Sequence, residues 1–315
     1  MRSVGPLIAL AIVIVTIGIV MLATRAAPTL SNGCAYSERG IPQCGVYVGA
    51  AIGGNDDPDE RERQLGQKLG LRRTYWTTQR VDKAIAAART DLAAGRLPWL
   101  SFKLEVSWEA AATGAMDDWA RDFARRVSQL PGPVWVALHH EPEGDGDILA
   151  WRAMQERLGP LLRDGAPNLG FTVIVTGWNQ FNRPDEFSLE RIWPNTVVDV
   201  AGFDIYNFYG ARRGPVSVTQ VSDLGSEYFT PISKWAAERD MAWALAETGI
   251  TDTAAIDHPE LLSRTLESLK ESGGIALTYF DSHLNSTAPW HLDDPDKRAQ
   301  FAALLADAPR LPEVR

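Results

Sequence analysis

From Cys44 onward, short apolar runs alternate with longer amphipathic stretches along the chain. The runs at 45–53, 71–77, 98–106, 134–139, 171–176, 197–206, 242–247 and 274–281 are dense in Val, Ile, Leu and aromatic residues, and predict eight strands. Between them, residues 59–69, 82–94, 116–130, 148–164, 228–240 and 259–272 show helical spacing with Gly, Pro or Asp at their ends, as does a last stretch from Asp294-Pro295. A shorter stub at 186–192 follows the fifth strand. Strand followed by helix, eight times, predicts one (β/α)₈ TIM barrel over 45–312, near the roughly 250 residues typical of that fold. A doubly wound open sheet is the structural rival, but no G-x-G-x-x-G follows the first strand.

Ahead of the barrel, residues 5–23 form an uncharged apolar run behind Arg2 and before Arg25, long enough to span a bilayer or to serve as a long signal peptide. Residues 1–28 are therefore expected to be a signal peptide or N-terminal membrane anchor. Export follows from either, with the protein secreted or held at the outer face of the cytoplasmic membrane. Residues 29–44 form a short lead-in, and Cys34 and Cys44, its only cysteines, suit a disulfide in an oxidising compartment. No linker, repeat or low-complexity tract marks a further domain, and a monomer is expected.

Charge narrows the partners. A net charge of −9 with no Lys/Arg block disfavours nucleic acid and anionic lipid, so contact with a membrane is expected only through the N-terminal segment.

The chemistry concentrates at strand ends, where a barrel collects its catalytic groups. The stretch at 132–147 runs an apolar strand into His139, His140 and Glu141, then into Pro/Gly/Asp-rich sequence that cannot extend a ladder. The seventh strand ends comparably at Glu247, about three βα units later, which places two carboxylates at one rim. Opposed carboxylates suit glycoside hydrolysis, in which one protonates the leaving oxygen and the other attacks the sugar carbon or activates water. Asp204 and Tyr206 end the sixth strand, and Tyr206 is placed to hydrogen-bond Glu247. Asp204 is either a site residue or a structural acceptor. Trp178 and Asn179 after the fifth strand, Tyr279 and Trp290 at and after the eighth, and Trp108 after the third supply rim aromatics and polar groups of the kind that bind sugars. Trp135, Trp151 and Trp235 read as core.

A metal reading of His139-His140 is weak, because adjacent strand residues face opposite ways and no H-x-H, H-E-x-x-H or Cys-rich spacing occurs. No metal or cofactor is expected. Glu143, Asp145 and Asp147 lack the glycine and distal glutamate of a calcium loop and read as a solvated acidic loop. No G-x-S-x-G supports a nucleophilic serine.

Four pieces of sequence, in order, resemble glycoside hydrolase family 26, the β-mannanase family of the large (β/α)₈ retaining clan. They are His140-Glu141; Trp193-Pro194-Asn195 leading into Val198-Asp199-Val200-Ala201-Gly202-Phe203-Asp204-Ile205-Tyr206; Ala246-Glu247-Thr248-Gly249; and Tyr279-Phe280-Asp281 followed by Trp290. The resemblance implies a retaining glycosidase on a β-linked polysaccharide, mannan-like or another β-glycan. It assigns Glu141 as acid/base, Glu247 as nucleophile and Tyr206 as the nucleophile's partner, with His140 and Trp178 lining the sugar site. Ala137-Leu138 and Pro142-Glu143-Gly144-Asp145, which flank the His-Glu pair, differ from that family's pattern, so the resemblance carries chemistry and not the identity of the sugar. Two other readings remain: a non-catalytic carbohydrate-binding protein on a degenerate barrel, and a metal-dependent barrel hydrolase.

Overall fold

The structure, a computed structural model, describes residues 27–314. Eight parallel strands close into a barrel: β1 (Tyr47–Ile52), β2 (Leu71–Thr77), β3 (Leu97–Lys103), β4 (Val134–Leu138), β5 (Leu169–Val175), β6 (Val200–Asp204), β7 (Ala242–Thr248) and β8 (Ala276–Asp281). Pairing of β8 with β1, from Tyr47 against Ala276 to Ile52 against Asp281, completes the ring and leaves no barrel edge. The expected eight strands are thus all present. Their near-continuous apolar runs are explained by burial on both faces, against the barrel interior and the helical shell.

Stacked aromatics fill the interior. Trp99 of β3 and Trp135 of β4 meet edge to face at 5.0 Å, and Tyr47 of β1 meets Trp135 at 6.0 Å. Trp99 donates to the Thr172 hydroxyl of β5 at 2.9 Å, so its one polar atom is satisfied inside the core. Trp135 and Trp151 are fully buried and Trp235 nearly so, as the core reading expects.

Helices differ from expectation mainly at the rim. The stretch at 148–164 forms one helix, Ile148–Gly165, capped by the Asp147 carboxylate, which accepts from the Leu149 amide at 2.8 Å. The stub at 186–192 is instead divided at Ser188 between two short helices, Pro184–Phe187 and Leu189–Ile192, and a third, Trp178–Asn182, precedes them beyond Arg183. A short helix at Trp108–Ala112, another at Asp252–Asp257 and a two-stranded hairpin, Arg212–Arg213 with Val216–Ser217, were not expected; each is too short to leave a periodic signal.

The lead-in before β1 lies under the N-terminal ends of the strands. The Arg39 guanidinium donates to the carbonyl of Leu169, where β5 begins, and the Trp135 indole donates to the Arg39 carbonyl at 2.9 Å. Leu30 and Tyr36 join the main core. Cys34 and Cys44 form the expected disulfide, with Cα atoms 5.5 Å apart. The expected leader or anchor at 1–28 lies outside the described residues except for Ala27 and Pro28.

Because the disulfide braces the end of the barrel opposite the C-terminal strand ends, its removal should affect stability more than any chemistry at the rim. A Cys34→Ser/Cys44→Ser variant is expected to lose roughly 2–3 kcal/mol of unfolding free energy, as loop-closure entropy gives for a short loop. Chemical denaturation of the reduced and oxidised protein measures this.

Candidate active site

The end of β4 leaves the sheet abruptly. The strand stops at Leu138, one residue earlier than expected, because His139 adopts φ 45° and Glu141 φ 50°. Left-handed backbone is costly for residues with a Cβ and persists only where the surroundings over-determine it. Here they do. The His139 amide donates to Phe102 of β3 at 2.6 Å and the Glu141 amide to Ile174 of β5 at 3.0 Å. From the helix Ile148–Gly165, Gln155 donates to the Leu138 carbonyl at 2.6 Å and the Trp151 indole to the His139 carbonyl at 2.8 Å.

The two histidines diverge, but not by strand alternation: both lie beyond the end of β4, and the left-handed turn at His139 sends their side chains to different partners. The Nδ1 of His139 accepts from the Trp108 indole at 3.0 Å. Its Nε2 therefore carries the proton and donates to Asp145 at 3.1 Å. His140 turns toward β2, with its ring centroid 5.4 Å from that of Tyr75. Desolvation, joined by the charge of Arg73, holds His140 well below the ordinary histidine range, so it is neutral.

Glu247 sits on a bulge. Leu245 pairs with Phe203 and Glu247 with Asp204 on one side; Leu245 pairs with Leu277 and Thr248 with Tyr279 on the other, so β7 carries one residue more than either neighbour. Such an insertion re-aims the side chain that follows it. The Glu247 carboxylate accepts from the Tyr75 hydroxyl at 2.6 Å and from the Tyr206 hydroxyl, and lies 3.1 Å from Nη1 of Arg73. The same Nη1 is 2.9 Å from Asp204 and donates to the Ala246 carbonyl at 2.9 Å. Desolvation and then the charge of Glu247 push the Tyr206 phenol well up, so it remains a neutral donor; the Tyr75 phenol is likewise raised by burial, against the pull of Arg73.

The other carboxyl has the opposite environment. Desolvation first, and then the Glu247 charge, push Glu141 up to about 8. Near neutral pH, Glu141 is a protonated acid, and across from it Glu247 is held by two phenols and a guanidinium.

The remaining candidates divide. Trp178 is half exposed and Asn179 lies beside it, donating to the Thr176 hydroxyl at 2.9 Å; both are available at the mouth. Asp204 is buried and engaged by Arg73, which gives it the structural role of the two considered. Trp108, Tyr279 and Trp290 are buried and act behind the site instead of presenting a face to it. Trp108 orients His139, and Tyr279 donates its hydroxyl to the Trp290 carbonyl at 2.7 Å. Trp290 stacks on Tyr206 at 4.9 Å. The acidic loop is not simply solvated: Glu143 is half-buried and accepts from the Thr176 amide at 3.0 Å and from Gln180 at 2.5 Å, tying the loop after β4 to the loop after β5.

Arg73, Tyr75 and Phe280 were missed by sequence reading. Phe280 packs against the rings of both Tyr75 and Tyr206 at 6.4 Å. The available signal was Arg72-Arg73 within a strand expected to be buried on both faces, since a charge there requires a partner.

No known family profile matches the chain, and no curated protein matches it. Solved structures do. A GH26 beta-mannanase from Bacteroides ovatus aligns with a TM-score of 0.60 at 15% identity, covering 84% of this chain and 90% of that one. Thermotoga maritima Cel5A, solved with mannotriose, aligns at 0.58 and 14%, covering 82% and 97%. The exo-beta-1,4-mannosidase Op5Man5 from Opitutaceae bacterium strain TAV5 aligns at 0.61 and 14%, covering 89% of this chain and 62% of that one. At these identities the likeness is one of fold, and it includes the family suggested by the sequence motifs.

The raised Glu141 pKa has a consequence for stability. Its stabilising contribution is complete below the usual carboxyl value of 4.5 and is lost as pH rises through about 8, since the folded state then holds a desolvated charge that the unfolded chain does not. Glu141→Gln should therefore melt higher than the parent at pH 9 and show a smaller difference at pH 4, as read by thermal unfolding at both pH values.

Proposed function

We propose that the chain is a retaining glycoside hydrolase acting on a β-linked polysaccharide, with Glu141 as general acid/base and Glu247 as nucleophile. One observation carries the reading: two carboxyl groups meet at the barrel rim in different surroundings, Glu141 desolvated and pushed up to about 8, Glu247 accepting from the Tyr75 and Tyr206 hydroxyls and lying against the Arg73 guanidinium. Opposite environments for two titratable groups mark the acid and the base of a site.

The steps follow from those states. Glu141 gives its proton to the glycosidic oxygen while Glu247 attacks the anomeric carbon, so the leaving sugar departs as an alcohol and a glycosyl ester forms on Glu247. Glu141, now a carboxylate, takes a proton from water, whose oxygen attacks the same carbon and frees Glu247. As the nucleophile gives up charge to the sugar, Tyr75 and Tyr206 hold it in line. Arg73 balances its charge before the substrate arrives. Trp178 offers a ring face at the mouth, and His140, neutral and facing Tyr75, offers a polar edge beside the acid.

The fold neighbours' titles name a beta-mannanase, a beta-1,4-mannosidase and a Cel5A bound to mannotriose or cellobiose, which supports a mannan-like or glucan-like β-glycan as substrate. The disulfide and the apolar N-terminal run support action outside the cytoplasm.

Assays of reducing-sugar release from mannan, xylan, mixed-linkage glucan and bacterial exopolysaccharides test the reading. Activity is expected on at least one, falling above pH about 8 as Glu141 loses its proton. Glu247→Ala should abolish it, and Glu141→Gln should cost roughly 10²–10⁴-fold in kcat. Proton NMR of the first product should show the β anomer. Release of the α anomer would replace retention by inversion, and binding of a glycan without release would make the barrel a carbohydrate-binding protein.

A further inference from the structure

The loop between β8 and the last helix, Pro295–Leu305, begins and ends with metal-ligating side chains that the proposed hydrolysis does not use. His283 follows β8 by two residues, and His291 and Asp293 close the loop. The two imidazoles stack with centroids 3.7 Å apart. Oδ2 of Asp293 lies 3.3 Å from Nε2 of His283 and 3.2 Å from Nδ1 of His291, and the three ligand atoms all fall within 4.8 Å of one another. Tetrahedral bonds of about 2.0–2.1 Å set ligand atoms about 3.3 Å apart, so two of the three edges already have the required length. Nδ1 of His291 is also a buried nitrogen that takes part in no hydrogen bond, which leaves its lone pair to be used.

The surroundings hold the carboxylate in place. Arg61 pairs with Asp281, the last residue of β8, at 2.7 Å and reaches the other Asp293 oxygen, Oδ1, at 3.3 Å. Arg61 holds Oδ1 and leaves Oδ2 turned toward the histidines, while the Arg298 guanidinium donates to the Asp293 carbonyl and Lys297 is paired with Asp252.

We propose that His283, His291 and Asp293 bind one divalent transition-metal ion of the zinc class, with water in the fourth position. Two imidazoles and one carboxylate favour such an ion over calcium or magnesium, which prefer all-oxygen shells. The ion is structural. It joins the two ends of the loop that carries Trp290, and Trp290 stacks on Tyr206, the hydroxyl donor to Glu247. The site thus braces the partner of the proposed nucleophile from outside the mouth.

Titration calorimetry with zinc chloride on tag-free, EDTA-stripped, full-length protein tests this. One ion per chain is expected, together with a rise in Tm that calcium and magnesium do not produce. His283→Ala, in which the lost side chain is exposed and the fold is spared, should weaken zinc binding by at least roughly 100-fold, beyond the 10–100-fold typical of losing an outer partner, and should abolish the Tm shift. Asp293→Asn should act in the same direction. Absence of zinc binding in the parent overturns the proposal, as does undiminished binding in His283→Ala, which would place the ion at His139, His140 or another donor.

Discussion

A fully buried guanidinium organises the upper half of this barrel. Arg73 enters from β2, lies over the Trp99 and Tyr75 rings, and meets Asp204 of β6 and Glu247 of β7 on the far side of the interior. A cation there needs its charge met and its hydrogens partnered: Asp204 and Glu247 meet the charge, and the Ser101 hydroxyl, Asp204 and the Ala246 carbonyl accept from Nε and Nη1, while Nη2 is buried without a hydrogen-bond partner. Conversely, neither Asp204 nor Glu247 belongs in so dry a place without the arginine. The interaction therefore couples strands remote in sequence, and the bulge in β7 is what turns Glu247 toward it.

Opposite this charged cluster, the end of β4 stores conformational strain. Two non-glycine residues with positive φ in three positions are held by hydrogen bonds from their backbone amides to both flanking strands and by Gln155 and Trp151 from the covering helix. With the backbone of this corner held from three sides, the Glu141 carboxyl is delivered to a desolvated position that a relaxed strand end would not reach. Desolvation at Glu141 and charge compensation at Glu247 are two outcomes of one enclosure. Arg73 pairs directly with the second and only pulls on the first from a distance.

The barrel separates stability from chemistry along its axis, as its fold class generally does. Beneath the strands, the disulfide-closed lead-in covers the N-terminal ends, and a buried network joins Glu62, Arg96, Asp91 and Arg72. Above them, the loops after β4, β5 and β8 carry the half-exposed Trp178, the Glu143 tie and the Trp290 prop.

Much of this was legible in the residues. Eight apolar runs separated by amphipathic stretches can bury their faces in few ways, so periodicity pointed to the barrel, and strand-end placement marked Glu141, Glu247 and Tyr206 because a barrel gathers strand ends at one rim. Cys34 and Cys44, alone in the chain, had only each other. Arg73 and Tyr75 were invisible because their partners lie far along the chain, on β6 and β7, and no local pattern records a contact across a barrel interior. Trp108, Tyr279 and Trp290, expected as sugar contacts, are buried for a related reason: Tyr279 lies inside β8, and the segments after β3 and β8 fold back over Trp108 and Trp290, which sequence cannot distinguish from display. The sequence by itself determined which elements form and which chemistry is carried to their ends. Only the tertiary structure decided which side chains face each other, since pKa, strain and hydrogen-bond partners are properties of the enclosed space between strands and not of any one of them.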